Sequence, residues 1–537
     1  MTATRLHMLD GPRALAGPRR TGLIAGAVLS ALCGTLATPA VWAQSAGDTA
    51  SQLKQLQTQI EQLQRQLNEM QAKQAAAQSA ATTAAPAPAA PAAAPAAAKT
   101  PVVSAGPVNL TFGGFTALEM VYRDRNETAD IGSNYNSAIP YPYQVNYHVS
   151  EFRESARQSR FSLLAQPATH DGSLNAEAYL ETDFLSAGVS SNSAESNSYT
   201  LRVRNFYGIL RDTDADWYLL GGQSWSLATL YGSAALAPRT ERAPQTIDAQ
   251  YVVGFNWTRN AQIRFVKLWG KTAALGISLE SPQAAFYTNS ATPAGTIVTN
   301  PGGSLLNSGA NYSIDFAPDI IAKLAFDPGW GHYEIYGIAR GFRDRYPGTA
   351  AGSNHTTWGE GIGGGTILPL IGQKLEFQLS ALAGSGIGRY GSAQLPDATV
   401  APDGSVATIS ELHVLGGFLA RPTPLWTIYL YGGMERADKK AYVVGGTTGV
   451  GYGSELYNNS GCLLLTGTAA TCVANSRELE QLALGAWWKV YQGNIGNVQL
   501  GLQYSYTKRK AFDGVGGDPS TDINMGFFSF RYYPYQR

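Results

Sequence analysis

Long apolar runs are missing from almost the whole chain. The one run of note, residues 23 to 37 (LIAGAVLSALCGTLA), is short for a bilayer-crossing helix. No later window offers the roughly 18 uninterrupted apolar residues that such a helix needs. Mean hydropathy is slightly negative, so a helical membrane bundle is excluded. Charge of one sign is missing too: 39 basic and 39 acidic residues cancel, which leaves no electrostatic footprint for nucleic acid. Histidine is scarce, and His7, His148, His170, His332, His355 and His413 have no serine and acid at a recognisable motif spacing. No catalytic residues, metal or other cofactor are expected. Cysteine is scarcer still. Cys33 follows Leu32 rather than the small residue of a lipoprotein signal, while Cys462 and Cys472 lie close together in a polar stretch. In an oxidising compartment this last pair is expected to form a disulfide.

What is present begins with export. The run at 23 to 37 follows Arg19 and Arg20, and Val41-Trp42-Ala43 supplies small residues at −3 and −1, so residues 1–43 read as a signal peptide. Its removal takes away Arg5, Arg13, Arg19, Arg20 and Asp10 and leaves 35 basic and 38 acidic residues. In residues 44–74, Leu53, Leu56, Ile60, Leu63, Leu67 and Met70 are spaced 3, 4, 3, 4, 3, which predicts a coiled-coil seam. An isolated helix of that length is marginal in water. Association, or packing as a lone amphipathic helix, has to support it. Residues 75–107 collapse to alanine and proline, from Pro86 to Pro107, and predict a stiff extended linker.

From residue 108 to 537 the dominant period is two. In KLEFQLSA (374 to 381), Lys374, Glu376, Gln378 and Ser380 share one parity, and Leu375, Phe377, Leu379 and Ala381 share the other. The beat returns at 174 to 184 and at 498 to 509. Side chains alternate across a pleat, so each segment separates two solvents. Such segments start near residues 108, 157, 174, 199, 216, 261, 272, 311, 332, 357, 374, 409, 426, 477, 498 and 522. That is an even number, joined alternately by tight turns (DTDA, DPGWG, RPTPL) and long polar links. The prediction is an all-β fold: a 16-stranded antiparallel transmembrane β-barrel with short periplasmic turns, long external loops and a hydrated interior. Trp487, Trp488, Tyr504, Tyr506, Phe527, Phe528, Phe530, Tyr532 and Tyr533 are candidate interfacial girdle residues. The glycine run at 361 to 365 sits inside a strand pattern with no following Lys-Ser, so a phosphate loop is not expected.

The third external loop, roughly 225 to 260, is long and carries Leu227, Leu230, Tyr231 and Leu236 to pack on the inner wall, together with Arg239, Glu241 and Arg242. An inward fold would make it the constriction. Parity places Arg160, Arg202, Arg204, Arg264, Glu177, Glu181 and Asp183 on the lumen side nearby. Opposed charges across a narrow neck produce a transverse field, and the basic set mildly favours anions.

Export signal, heptads, Ala/Pro linker and barrel follow in that order. With them stand the segments Ala156-Arg157-Gln158-Ser159-Arg160-Phe161, Glu181-Thr182-Asp183-Phe184, Arg204-Asn205-Phe206-Tyr207-Gly208 and Gly222-Gln223-Ser224-Trp225. On these features the chain resembles the DcaP-like trimeric outer-membrane porins. The resemblance implies a homotrimer of side-by-side barrels in outer-membrane lipid, with the N-terminal helices forming a three-stranded coil in the periplasm. It also implies uptake of small hydrophilic solutes, often anionic ones such as dicarboxylates. Apart from the resemblance, contact of that coil with periplasmic or cell-wall material is a candidate partner interaction, and the sequence does not say what the coil touches. The tail Tyr533-Pro534-Tyr535-Gln536-Arg537 departs from the family's aromatic ending. Two other functions share parts of this pattern: a structural tether or adhesin with a blocked lumen, and a barrel that hydrolyses lipid.

Overall fold

The computed structural model describes residues 102–536, apart from residues 170–171, 193, 303–306, 308 and 349–350. The chain divides into two units, Met1–Ala96 and Ala97–Arg537. The expected signal peptide, the seam from Leu53 to Met70 and the linker as far as Pro101 lie outside the described residues.

Sixteen strands form the wall. They are β1 (Val108–Arg123), β2 (Glu151–Ser155 and Arg160–Pro167, two halves of one strand), β3 (Leu174–Asp183), β4 (Arg202–Asp212), β5 (Trp217–Trp225), β6 (Arg259–Trp269), β7 (Ala273–Glu280), β8 (Asp319–Phe326), β9 (His332–Arg343), β10 (Thr356–Pro369), β11 (Leu375–Ser385), β12 (Ser410–Thr423), β13 (Trp426–Ala437), β14 (Ser476–Gly493), β15 (Gly496–Ala511) and β16 (Ser520–Tyr533). Every neighbouring pair is antiparallel. The sheet closes where β16 meets β1, from Thr116 opposite Tyr532 to Arg123 opposite Met525. Both halves of β2 pair with β1, Glu151 opposite Arg123 and Pro167 opposite Val108, so the interruption at 156–159 is an irregularity within one strand. Closure leaves no unpaired edge, which a wall in lipid requires.

Alternation decides the two faces. Lys323 is fully buried while its neighbour Leu324 is 51% exposed, and Ile263, Phe265, Ile277, Leu279, Leu482 and Leu502 are exposed in the same outward sense. An apolar outside on a closed antiparallel barrel is the surface of a membrane-spanning barrel. Among the described residues no helix is long and apolar enough to cross a membrane. Trp426 and Trp488 stack on this outer face with ring centroids 5.6 Å apart. Trp487, Phe527 and Tyr533 are corrections to the expected girdle. All three face the inner side, because adjacent residues of one strand cannot face the same solvent.

Two boundaries also differ from expectation. The eighth strand, expected from 311, begins at Asp319, since Pro318 has no N–H to give a ladder. Asn311–Ser313 pair instead with Thr299–Pro301 inside the loop. The end of the linker range is ordered: Val102–Ala105 fold back on Val108–Thr111 as a hairpin. The last strand ends at Tyr533, leaving a short tail.

The long connections are L1 (124–150), L2 (184–201), L3 (226–258), L4 (281–318), L5 (344–355), L6 (386–409), L7 (438–475) and L8 (512–519). L7 holds the disulfide Cys462–Cys472, with Cα atoms 4.7 Å apart.

Candidate functional site

L3 leaves β5 and turns into the barrel, and polar groups of the wall receive its backbone. Leu227 N–H donates to Glu280 Oε1 of β7 (2.8 Å), Tyr231 N–H to Glu334 Oε1 of β9 (2.9 Å) and Ala234 N–H to Asp327 Oδ2 in the β8–β9 turn (2.7 Å). On the way back, Ile247 N–H donates to Gln503 Oε1 (2.6 Å), Val253 N–H to Gln481 Oε1 (2.9 Å) and Gly254 N–H to Glu435 Oε1 (2.8 Å). An unpaired buried N–H costs about 1–3 kcal/mol. These inward carboxylates and amides therefore act as acceptors for a loop whose own ladder is a single antiparallel bridge, Tyr231 opposite Glu241, with Gly232 N–H donating to the Thr240 carbonyl oxygen (2.7 Å) and Arg242 N–H to that of Leu230 (2.8 Å).

Wall glycines give the loop room. A Cβ on Gly433 would lie 1.8 Å from the Val253 carbonyl oxygen, and one on Gly365 would lie 2.7 Å from Leu230 Cδ1. Gly365 belongs to the glycine run in β10, whose role is clearance for a neighbour. Gly433→Val is expected to push the return limb of L3 off the wall and to change single-channel conductance, whereas Gly526→Ala on the open outer face should leave it unchanged. Planar-bilayer recordings of the two variants check this.

L3 leaves a cavity of about 560 Å³ against β1–β5 and β13–β16. Five cations line it, Arg160, Arg204, Arg239, Lys489 and Arg531, with four carboxylates, Glu181, Asp183, Glu241 and Asp248. Arg204 bonds Glu181 and lies 2.9 Å from Asp183, and Arg202 reaches Asp183 at 2.6 Å. Arg160 stands 3.7 Å from Glu181, and its Nε has no hydrogen-bond partner. Arg239, at φ +72°, bridges L3 to the wall through Glu177 (3.0 Å) and the Tyr207 hydroxyl (2.9 Å).

Burial acts on two of the loop carboxylates, and it makes Glu241 a weak contributor of negative charge near neutral pH. Burial pushes the Glu241 carboxyl up to about 7, against the pull of Arg264, and its Oε1 lacks a partner. Burial also raises Asp248, which accepts from the Ser133 hydroxyl at 2.7 Å and the Tyr135 hydroxyl at 3.1 Å. The cavity lining therefore carries a positive excess at neutral pH and below.

Of the residues singled out from the sequence, Arg160, Arg202, Arg204, Glu181 and Asp183 gather on one side of the passage, and Glu177 joins Arg239. Two sit elsewhere. Arg264 is buried behind L3, bonded to the Tyr231 hydroxyl (2.5 Å) and to Gln262 Oε1 (2.7 Å), so it anchors the loop rather than facing the passage. Arg242 reaches Glu376 of β11 at 3.5 Å and does not line the cavity.

Arg531 and Lys489 were not legible as neck residues. Arg531 is 2.8 Å from Glu119 and lies over the rings of Phe115 (4.8 Å) and Trp487 (4.4 Å). Strand parity alone could have turned it inward. Its position beside Arg160 depends on the seam between the last strand and the first.

No family model and no curated protein matches the chain. Among solved structures, the outer membrane channel DcaP of Acinetobacter baumannii aligns at a TM-score of 0.55 and 17% identity, over 79% of this chain and 97% of that one. An anion-selective porin from Comamonas acidovorans aligns at a TM-score of 0.42 and 11% identity, over 79% of this chain and 99% of that one. OprB of Pseudomonas putida aligns at 0.42 and 11%, over 79% and 94%. The likeness to DcaP shows a shared barrel fold.

Proposed function

We propose that this protein is an outer-membrane porin, a water-filled channel for passive diffusion of small hydrophilic solutes that mildly favours anionic organic molecules such as dicarboxylates. Arg160, Arg204, Arg239, Lys489 and Arg531 supply the positive side of its neck, and Glu181, Asp183 and Glu241 the negative side. Three copies associate side by side in lipid, with residues 44–74 coiled in the periplasm. The observation that carries the reading is a polar, charge-lined cavity beside an inward loop, inside a closed barrel with an apolar outside. The blocked tether and the lipid hydrolase lack support of that kind.

Planar bilayers test it. Discrete conductance steps are expected from purified protein, with reversal potentials on the anion side in a salt gradient. An insulating protein would favour the tether, and lipid product without current would favour the hydrolase.

Glu241 makes the selectivity depend on pH in a defined direction. A carboxyl titrating at about 7 is neutral below that value and negative above it. The anion-to-cation permeability ratio should therefore fall as pH rises through about 7. Reversal potentials measured from about pH 5.5 to about pH 8.5 should show that step in the native protein and not in Glu241→Gln.

A further inference from the structure

The tip of L3 is held where one proton decides whether two carboxylates are satisfied. His332, the first residue of β9, has Nδ1 2.5 Å from Asp327 Oδ1 and Nε2 3.0 Å from Glu334 Oε1. The same carboxylates receive the loop, Asp327 from Ala234 N–H and Glu334 from Tyr231 N–H. Lys323 of β8 completes Glu334 at 2.6 Å and also donates to the Thr229 carbonyl oxygen of L3 at 2.7 Å. Arg264 of β6 donates to the Tyr231 hydroxyl at 2.5 Å, and β10 contributes Thr366, whose hydroxyl donates to the His332 carbonyl oxygen at 2.8 Å. These groups surround the ring from β6, β8, β9, β10, the β8–β9 turn and L3.

A neutral imidazole has one N–H and one lone pair, and an imidazolium has two N–H groups. Both ring nitrogens face carboxylate oxygens, so only the imidazolium satisfies the cluster. Loss of its proton sets one acceptor against another. The Glu334 side chain is 1% exposed, whereas that of Asp327 is 27% exposed. The remaining N–H therefore stays on Nε2, with the carboxylate that has no route to water. Asp327 turns outward, and the acceptor of the Ala234 amide goes with it.

We propose that His332 is a proton-operated latch on the constriction loop: protonated, it pins residues 229–234 to the wall, and deprotonated, it frees the tip at Ala234. The latch rests on the reading of L3 as the constriction and adds regulation to it.

Hydrogen–deuterium exchange of the full chain in detergent micelles tests the latch without any current, after correction for the intrinsic pH dependence of amide exchange. Protection of segment 229–236 is expected to fall about tenfold between about pH 6 and about pH 9, the size of one hydrogen bond to a charged group. In Asp327→Asn the amide donates to the unprotonated Nδ1 and still accepts from Ala234, so protection should hold at both pH values. A flat native profile, or an Asp327→Asn profile that falls like the native one, would overturn the latch. A pH-dependent tip in a protein that gives no conductance steps would instead sink the channel reading and leave the latch standing.

Discussion

Arg160→Glu combined with Lys489→Glu is expected to turn the proposed anion preference of the passage into a cation preference. The lining changes from five cations facing four carboxylates to three facing six. Neither residue is committed to a tight pair: Arg160 is 3.7 Å from Glu181, and Lys489 has no ion pair among the described residues. Arg531 is left untouched because it is paired with Glu119 and stacked between Phe115 and Trp487, so its replacement would also disturb the wall. A unit charge near a protein surface acts with an energy on the order of 1–4 kcal/mol at contact distance, and screening by salt reduces this across a hydrated neck. A permeability ratio moved by about tenfold or more follows from a four-charge change of this kind. Reversal potentials in a potassium chloride gradient read it directly. An unchanged sign would mean that the passage through this neck does not control selectivity.

The second large effect belongs to the buried cation that supports L3. Lys323→Met should strip Glu334 of its lysine partner while leaving it buried, which costs about 3–5 kcal/mol when one member of a buried pair is removed. Glu334 also receives Tyr231 N–H, so the damage passes to the loop tip. Lower resistance to heat unfolding and a larger, noisier conductance are expected together. Adding Glu334→Gln to the same protein should restore most of both, since the side-chain amide accepts from Tyr231 without a buried charge. A Lys323→Met barrel as stable and as quiet as the native one would show that the pair contributes little.

The structure corrects the sequence reading in one consistent way. Inward polarity was legible strand by strand, because lipid forces the other face to be apolar. What inward polar residues do was not legible. Glu280, Glu334, Glu435, Gln481 and Gln503 share the parity of Glu181 and Asp183, yet they accept L3 amides while the latter face the passage. Arg264 likewise shares the parity of Arg204 and ends behind the loop. Gly365, the last of the glycine run in β10, reads as a gap in the pattern until Leu230 of L3 is seen to fill it.

By itself the sequence determined the wall: its sixteen strands, their alternation, the turn at each end and the pairing of Cys462 with Cys472. These follow from a two-residue period and from short-range spacing, which are local properties of the chain. Tertiary structure alone decided which side of the lumen L3 occupies, and so which charges meet water and which hold the loop. That choice depends on hydrogen bonds between residues about a hundred or more positions apart and on the closing seam that sets Arg531 beside Arg160, and no local period records either.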